Sequence, residues 1–141
     1  MYEILVKKDL TPTITMMEVS APRLAASAQP GQFLIVRTDE NGERVPLTVC
    51  DYDKERGSVT IVTQKVGASS KKICALEQGE SFQDVSGPLG RPSEFVGLSD
   101  EEIREKRFIF IAGGLGTAPV YPQAKYLYSR GAKVDIIVGA K

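Results

Sequence analysis

The residues best suited to chemistry fall in three clusters. The sharpest is Gly113-Gly114-Leu115-Gly116-Thr117-Ala118-Pro119. Its glycines permit a tight turn and let a phosphate approach backbone amides. Pro119 and Pro122 suit the first turn of a helix opening behind it. Such a helix offers unpaired N–H groups and the positive end of its dipole to an anion. The spacing G-G-x-G-T-A-P lacks the third glycine of the common dinucleotide fingerprint, so a strand–helix turn without a ligand is the competing reading. The second cluster is Arg44-Val45-Pro46-Leu47-Thr48. Arg44 and Thr48, four apart in a period-two strand, share one face. A guanidinium fork suits a phosphate and a hydroxyl can bond a ring nitrogen, although an arginine on a barrel strand is also satisfied by solvent. The third is Lys65-Val66-Gly67-Ala68-Ser69-Ser70. It places glycine and two serines at a helix start, which fits anion binding and fits a simple serine cap equally well.

The elements that must position these clusters are mostly strands. Runs rich in Val, Ile, Thr and Phe cover 2–10, 12–20, 32–38, 44–50, 58–65 and 81–86. Turn residues separate them at Gln29-Pro30-Gly31, Asp39-Glu40-Asn41-Gly42, Arg56-Gly57 and Gly87-Pro88-Leu89-Gly90. Asn41-Gly42 between two such runs is a strong hairpin signal. Six short strands at this spacing predict a small antiparallel barrel, since closure removes exposed edges. One helix interrupts them, capped by Ser69 or Ser70, with Ile73 and Leu76 on one face. Residues 99–107 then read as a solvated helical turn. Ser99 and Glu102 match a capping box, and Glu102 and Lys106 form an i,i+4 pair.

Beyond this turn the pattern changes. Phe108-Ile109-Phe110-Ile111-Ala112 is a continuous apolar strand, 118–129 a helix, Gly131 its stop, and Val134-Asp135-Ile136-Ile137-Val138 a second strand. This is one β-α-β unit of a parallel sheet. Two parallel strands and one helix leave a sheet face bare, which is not a stable domain. The sequence is therefore expected to be the N-terminal fragment of a longer chain, unless another copy or another chain completes the sheet.

Composition narrows the classes. The 141 residues hold 18 Lys+Arg and 18 Asp+Glu, a net charge of zero, with 42% apolar and 26% charged residues. That is globular, and it argues against a broad surface for nucleic acid or an anionic membrane. No run approaches the roughly 18 apolar residues of a membrane span. The N-terminus has no apolar signal-peptide core, so the expected location is cytoplasmic. The absence of histidine excludes a Ser–His triad and histidine metal sites built from this chain. Two cysteines are too few for a disulfide scaffold or a cysteine-ligated cluster. No catalytic side chain and no metal ligand set emerges. The class left most open is one whose chemistry sits on a bound cofactor. Two separate phosphate cradles suit two dinucleotides, a flavin and a nicotinamide, which carry the electrons themselves.

Five motifs occur in a telling order: Pro30-Gly31-Gln32-Phe33, Arg44-Val45-Pro46-Leu47-Thr48, Val66-Gly67-Ala68-Ser69-Ser70, Gly87-Pro88-Leu89-Gly90 and Gly113 to Pro119. Together they resemble the ferredoxin–NADP reductase superfamily over essentially the whole chain. Within it, the chain resembles electron-transfer subunits of dihydroorotate dehydrogenase B. It is more similar still to those of sulfide dehydrogenase and of NADH-dependent reduced-ferredoxin:NADP oxidoreductase, through Gly87 to Glu94 and Tyr121-Pro122-Gln123-Ala124-Lys125.

The resemblance implies an FAD-binding Greek-key barrel at 1–97, a linker at 98–106, and the start of an NAD(P)-binding α/β domain at 107–141. It implies that Arg44 meets the FAD pyrophosphate and Thr48 the isoalloxazine ring, with Pro46 and Leu47 shaping the ring pocket. Gly67, Ser69 and Ser70 would cradle the pyrophosphate, and Val62, Thr63, Gln64 and Lys65 would flank the ribityl and adenosine side. Gly113, Gly114, Gly116 and Thr117 would face the nicotinamide nucleotide. The family's usual lysine in the second cradle is replaced here by Ala68, with Lys71 or Lys72 as substitutes. The implied parent passes electrons between NAD(P)H, FAD and a [2Fe–2S] centre, whose cysteines would lie in the missing C-terminal part. Its partners would be a larger oxidoreductase subunit and ferredoxin. The fragment alone is expected to be inactive and to self-associate. The rival reading is a non-enzymatic β-barrel interaction module.

Overall fold

The computed structural model describes residues 2–140. Its first half is a barrel of two antiparallel sheets. Strands β1 (Tyr2–Thr11) and β2 (Ile14–Ser20) form a hairpin. Helix α1 (Pro22–Ser27) follows, then β3 (Phe33–Arg37), β4 (Val45–Thr48), β5 (Asp51–Asp53) and β6 (Ser58–Gln64). Helix α2 (Ala68–Ala75) precedes β7 (Ser81–Phe82) and β8 (Asp84–Leu89). The sheet orders are β5-β6-β2-β1-β7 and β4-β3-β8. The chain crosses between sheets at 48–51 and at 82–84, which closes the barrel. Ile4, Met17, Val19, Leu34, Val36, Val59, Ile61 and Phe82 fill the space between them. The hairpin expected at Asn41-Gly42 joins β3 to β4, with Leu34 opposite Leu47 and Val36 opposite Val45.

Several expectations need correction. Run 81–86 is two strands, broken where Gln83 N–H donates to the Arg37 carbonyl, and β8 continues to Leu89 through the expected Gly87–Gly90 turn. Run 44–50 starts one residue later, so Arg44 lies at the hairpin end of β4 rather than within it, and β5 is an additional short strand. Helix α1 is also additional. Pro22 sits at its start and only Leu24 and Ala25 are buried, too short a stretch for periodicity to show. The N-cap of α2 is Gly67, not a serine. Ser70 stands at the third helical position and reaches back, so that its Oγ accepts from Val66 N–H at 2.8 Å and Gly67 N–H at 2.9 Å.

The second half is the expected β-α-β unit. A 3-10 turn (Glu94–Gly97) and helix α3 (Asp100–Arg104) lead into β9 (Arg107–Gly113), α4 (Thr117–Ser129) and β10 (Lys133–Gly139), and β9 and β10 pair in parallel. The Ser99–Glu102 capping box forms in both directions, at 3.2 and 3.1 Å. Because α3 stops at Arg104, no Glu102–Lys106 ion pair forms among the described residues. Gly131, at φ +87°, ends α4 in a Schellman arrangement: Ala132 N–H donates to the Leu127 carbonyl and Gly131 N–H to that of Tyr128. Ile103 and Leu127 centre a second core with Phe95, Leu98, Phe108, Phe110 and Val134 around them. Segment 98–106, expected as a linker, thus contributes Leu98 and Ile103 to that core. The opposite face of β9–β10 is bare: Ile109, Ile111 and Ile137 are 61, 77 and 59% exposed. Among the described residues, no helix is long and apolar enough to cross a membrane.

Candidate functional site

Two clefts gather most of the sequence-predicted residues. The first, about 360 Å³, lies where the β3–β4 hairpin meets the start of α2, and Arg44, Pro46, Gly67, Ser69 and Ser70 line it with Glu43 and Val66. The hairpin is tied to α2 by ion pairing and hydrogen bonding. Lys72 Nζ donates to Asp39 Oδ2 at 2.7 Å, and Ser69 Oγ donates to the Glu43 carboxylate. That hydrogen bond from Lys72 chiefly holds the Asp39 carboxyl below its ordinary pKa. Arg44 is oriented by Asp84, Nη1 to Oδ2 at 3.1 Å. Among the described residues, its guanidinium is engaged through that nitrogen alone. The first helical bond of α2 runs from Lys71 N–H to the Gly67 carbonyl, so the amides of Ala68, Ser69 and Ser70 have no partner within the helix. An arginine fork and a helix N-terminus therefore face one small space.

The second cleft, about 350 Å³, lies between the barrel and the glycine turn. Leu10, Ile14, Met16 and Val62 form its floor, and Gly114, Leu115, Thr117 and Tyr121 its roof, with Cys50 at the side. A 3-10 turn at Gly114–Gly116 carries the roof, with Gly114 at φ +54°. This cleft is almost wholly apolar and suits a flat ring system. Burial, reinforced by the Asp51 carboxylate, pushes the Cys50 thiol up to about 11, so it is mostly protonated near neutrality and reacts slowly. Val62 and Val66, one in each cleft, are four residues apart, at most about 14 Å along the chain. One extended ligand can therefore reach both.

Other predicted residues fall elsewhere. Leu47 packs against the barrel core with Val45, while Pro46 and Thr48 occupy the outer face of β4. Thr63 is buried, and its carbonyl accepts from the Cys74 thiol at 3.7 Å. Lys65 turns toward the β1–β2 connection, where Nζ donates to the Pro12 carbonyl. Gln64, paired with Ile14, ends β6, and Gly113 precedes the turn and Gly116 ends it, neither lining the cleft. Lys72 is committed to Asp39 rather than standing in for the missing cradle lysine. Sequence reasoning missed Glu43 in the first cleft and, in the second, Leu10, Ile14 and Met16. The available signal was apolar residues on an outward face.

A closed antiparallel barrel with a flanking parallel β-α-β unit, and a cleft between them under a glycine turn, is the architecture of ferredoxin reductase-like proteins. The solved NADH-dependent reduced ferredoxin–NADP oxidoreductase, described in work on flavin-based electron bifurcation, matches all of this chain at 33% identity and a TM-score of 0.90, over 49% of its own length. Phthalate dioxygenase reductase shares the fold at a TM-score of 0.80 and 23% identity. By these matches the chain is similar to ferredoxin reductase-like oxidoreductases. More particularly, it is 33% identical over 139 residues to a Thermotoga maritima homologue of the dihydroorotate dehydrogenase B electron-transfer subunit, covering 99% of this chain and 47% of that one. It is also 52% identical over 141 residues to an uncharacterized protein in the adh 3′ region of Clostridium beijerinckii, covering all of this chain and 48% of that one. The chain spans about half the length of the curated relatives it matches. No protein-family model matches it.

Proposed function

We propose that the chain is the flavin-binding half of an electron-transfer oxidoreductase subunit. Residues 1–97 would hold FAD, and 107–141, reached through 98–106, would begin a site for NAD(P). The observation that carries this reading is the pair of clefts joined through 62–66. One offers an arginine and helix amides for a pyrophosphate, and the other an apolar slot for a ring. The residues present thus fit a flavin dinucleotide better than a mononucleotide, which would need only one phosphate contact.

FAD, when bound, supplies the exchange of electrons with a nicotinamide. The chain's own residues bind, orient and exclude water. Arg44, with the amides of Ala68 to Ser70, would neutralise the pyrophosphate, and its Nη1, donating to Asp84 Oδ2 at 3.1 Å, anchors the guanidinium. Ser70 is occupied in shaping the 66–70 turn and the Ser69 hydroxyl in bonding the Glu43 carboxylate, so the amides are the ligand-facing groups. Pro46 and Thr48 stand on the same outer face as Arg44; Pro46 would border the pyrophosphate cleft, and Thr48, two residues before Cys50, would approach the ring. Leu115 and Tyr121 close the apolar cleft from above, keeping water from the reacting faces. The single electrons would leave toward an iron–sulfur centre, with a larger subunit and ferredoxin as partners.

Reconstitution tests the assignment. The refolded chain should take up FAD and turn yellow, and take up FMN more weakly. Arg44→Ala should weaken FAD binding by about 1.5–3 kcal/mol, the range for a hydrogen bond to a charged group. Equal affinity for FAD and FMN, or an Arg44→Ala protein that titrates like wild type, would remove Arg44 from the pyrophosphate site. A chain that stays colourless under all loading conditions would favour the interaction-module reading.

A further inference from the structure

Helix α4 carries the glycine turn at its N-terminal end, and its barrel-facing flank is held by polar bonds. Lys125 Nζ donates to Asp51 Oδ1 at 2.9 Å, between groups 74 positions apart. Tyr52 N–H donates to the same oxygen at 2.9 Å, so the carboxylate is fixed before the lysine reaches it. Nearby on the helix, Ser93 Oγ donates to Gln123 Oε1 at 2.9 Å, and Gln123 Nε2 donates to the Pro119 carbonyl at 2.9 Å. The barrel core and the α/β core share no residue. The Lys125–Asp51 and Ser93–Gln123 bonds therefore cross between two separately packed bodies.

The ion pair stands directly behind the apolar cleft. Cys50, in the cleft wall, is the residue before Asp51. Tyr121, in the roof, lies one helical turn before Lys125, whose ammonium is 5.8 Å from the ring centroid. We infer that Lys125 and Asp51 form a positioning latch, which sets how closely the Gly114–Thr117 turn is held over the barrel. The latch itself needs no cofactor. Its consequence for electron transfer, the spacing of a nicotinamide from a flavin ring, rests on the reading of the cleft given above. The hydrogen bond to Asp51 raises the Lys125 pKa, so its ammonium stays charged at neutral pH. Both side chains are partly exposed, and such pairs add little to global stability. Breaking this one should move α4 without unfolding either body.

Cys50 reports the movement, and Cys74, 3% exposed on α2 where it packs against β6, is the internal control. The experiment measures iodoacetamide labelling of each cysteine in the 141-residue chain without cofactor, for wild type, Lys125→Met and Lys125→Arg. The two effects of Lys125→Met have opposite signs. Removing the ammonium leaves the Asp51 carboxylate without its counter-ion, which raises the thiol pKa further and slows labelling. Opening the cleft speeds it. The latch predicts Cys50 labelling faster by about fivefold or more in Lys125→Met. Cys74 should be unchanged, the melting midpoint should shift by no more than about 4 °C, and Lys125→Arg should restore the wild-type rate. Unchanged or slower Cys50 labelling overturns the latch. So does faster labelling of both cysteines with a lowered midpoint, or failure of Lys125→Arg to restore. If Cys50 behaves as expected in a chain that never binds FAD, the latch stands and the flavin reading fails.

Discussion

Loaded with FAD, the 141-residue chain will show no steady dye reduction driven by NADH or NADPH. On the proposed reading, the glycine turn would offer only one end of a nicotinamide nucleotide a place to bind. Among the described residues only β9, β10 and α4 stand behind it, and the relatives that match this chain are about twice as long. Holding two reactants in line contributes on the order of 7–11 kcal/mol in well-oriented cases, so a nucleotide held at one end should react slower by several orders of magnitude. The same sheet should make the chain associate. Ile109, Ile111 and Ile137 form an apolar patch toward the C-terminal end of the bare face, while Arg107 and Asp135, paired through two hydrogen bonds of 2.9 and 2.7 Å, keep the other end polar. Exposed sheet faces and unpaired edges of this kind are templates for a second copy. A dye-reduction assay beside light scattering checks both statements. A monomer turning over several times per second would show that 107–141 is sufficient as it stands.

The fold was legible where one local pattern had one meaning. Asn41-Gly42 specified a hairpin, Gly131 a helix stop, and the continuous apolar runs around Ile109 and Ile136 a parallel pair, and each is present. The apolar cleft was not legible, and Ile14-Thr15-Met16-Met17 shows why. Apolar residues fall on both faces of this strand, so alternation cannot say which face is inward. The structure buries Thr15, whose hydroxyl donates to Asp9 Oδ1 at 2.8 Å, and turns Ile14 and Met16 outward into the cleft. A buried threonine satisfied by a partner six residues away is a tertiary fact that period-two reasoning cannot supply. Ser70 illustrates the same limit. Its type and place suit a ligand, yet its hydroxyl is used to close the turn that presents the cradle. Arg44 was legible as chemistry but not as geometry, since Asp84, which orients it, lies forty positions away.

Truncating Leu127 should separate the two bodies energetically. Leu127 is fully buried, as is Ile103 on α3, and together with Ala132 they make up the buried centre of the second core. Leu127→Ala should cost about 2–5 kcal/mol, the range for a buried leucine whose surroundings relax only in part. A core this small has few other apolar contacts to offset the loss. The truncation also removes the apolar contact that accompanies the Schellman turn, because Ala132 packs where the Leu127 side chain meets the end of α4. Amides of β9, α4 and β10 should therefore exchange with solvent much faster, while those of β2, β3 and β6 keep their protection, since their core contains neither Leu127 nor Ile103. Flavin uptake at the Arg44 cleft should survive, because every residue lining that cleft belongs to the barrel half. Hydrogen exchange read by mass spectrometry distinguishes this from a single cooperative body, in which protection would fall everywhere together. A loss below about 1 kcal/mol would mean that neighbouring side chains collapse into the space more completely than this small core suggests.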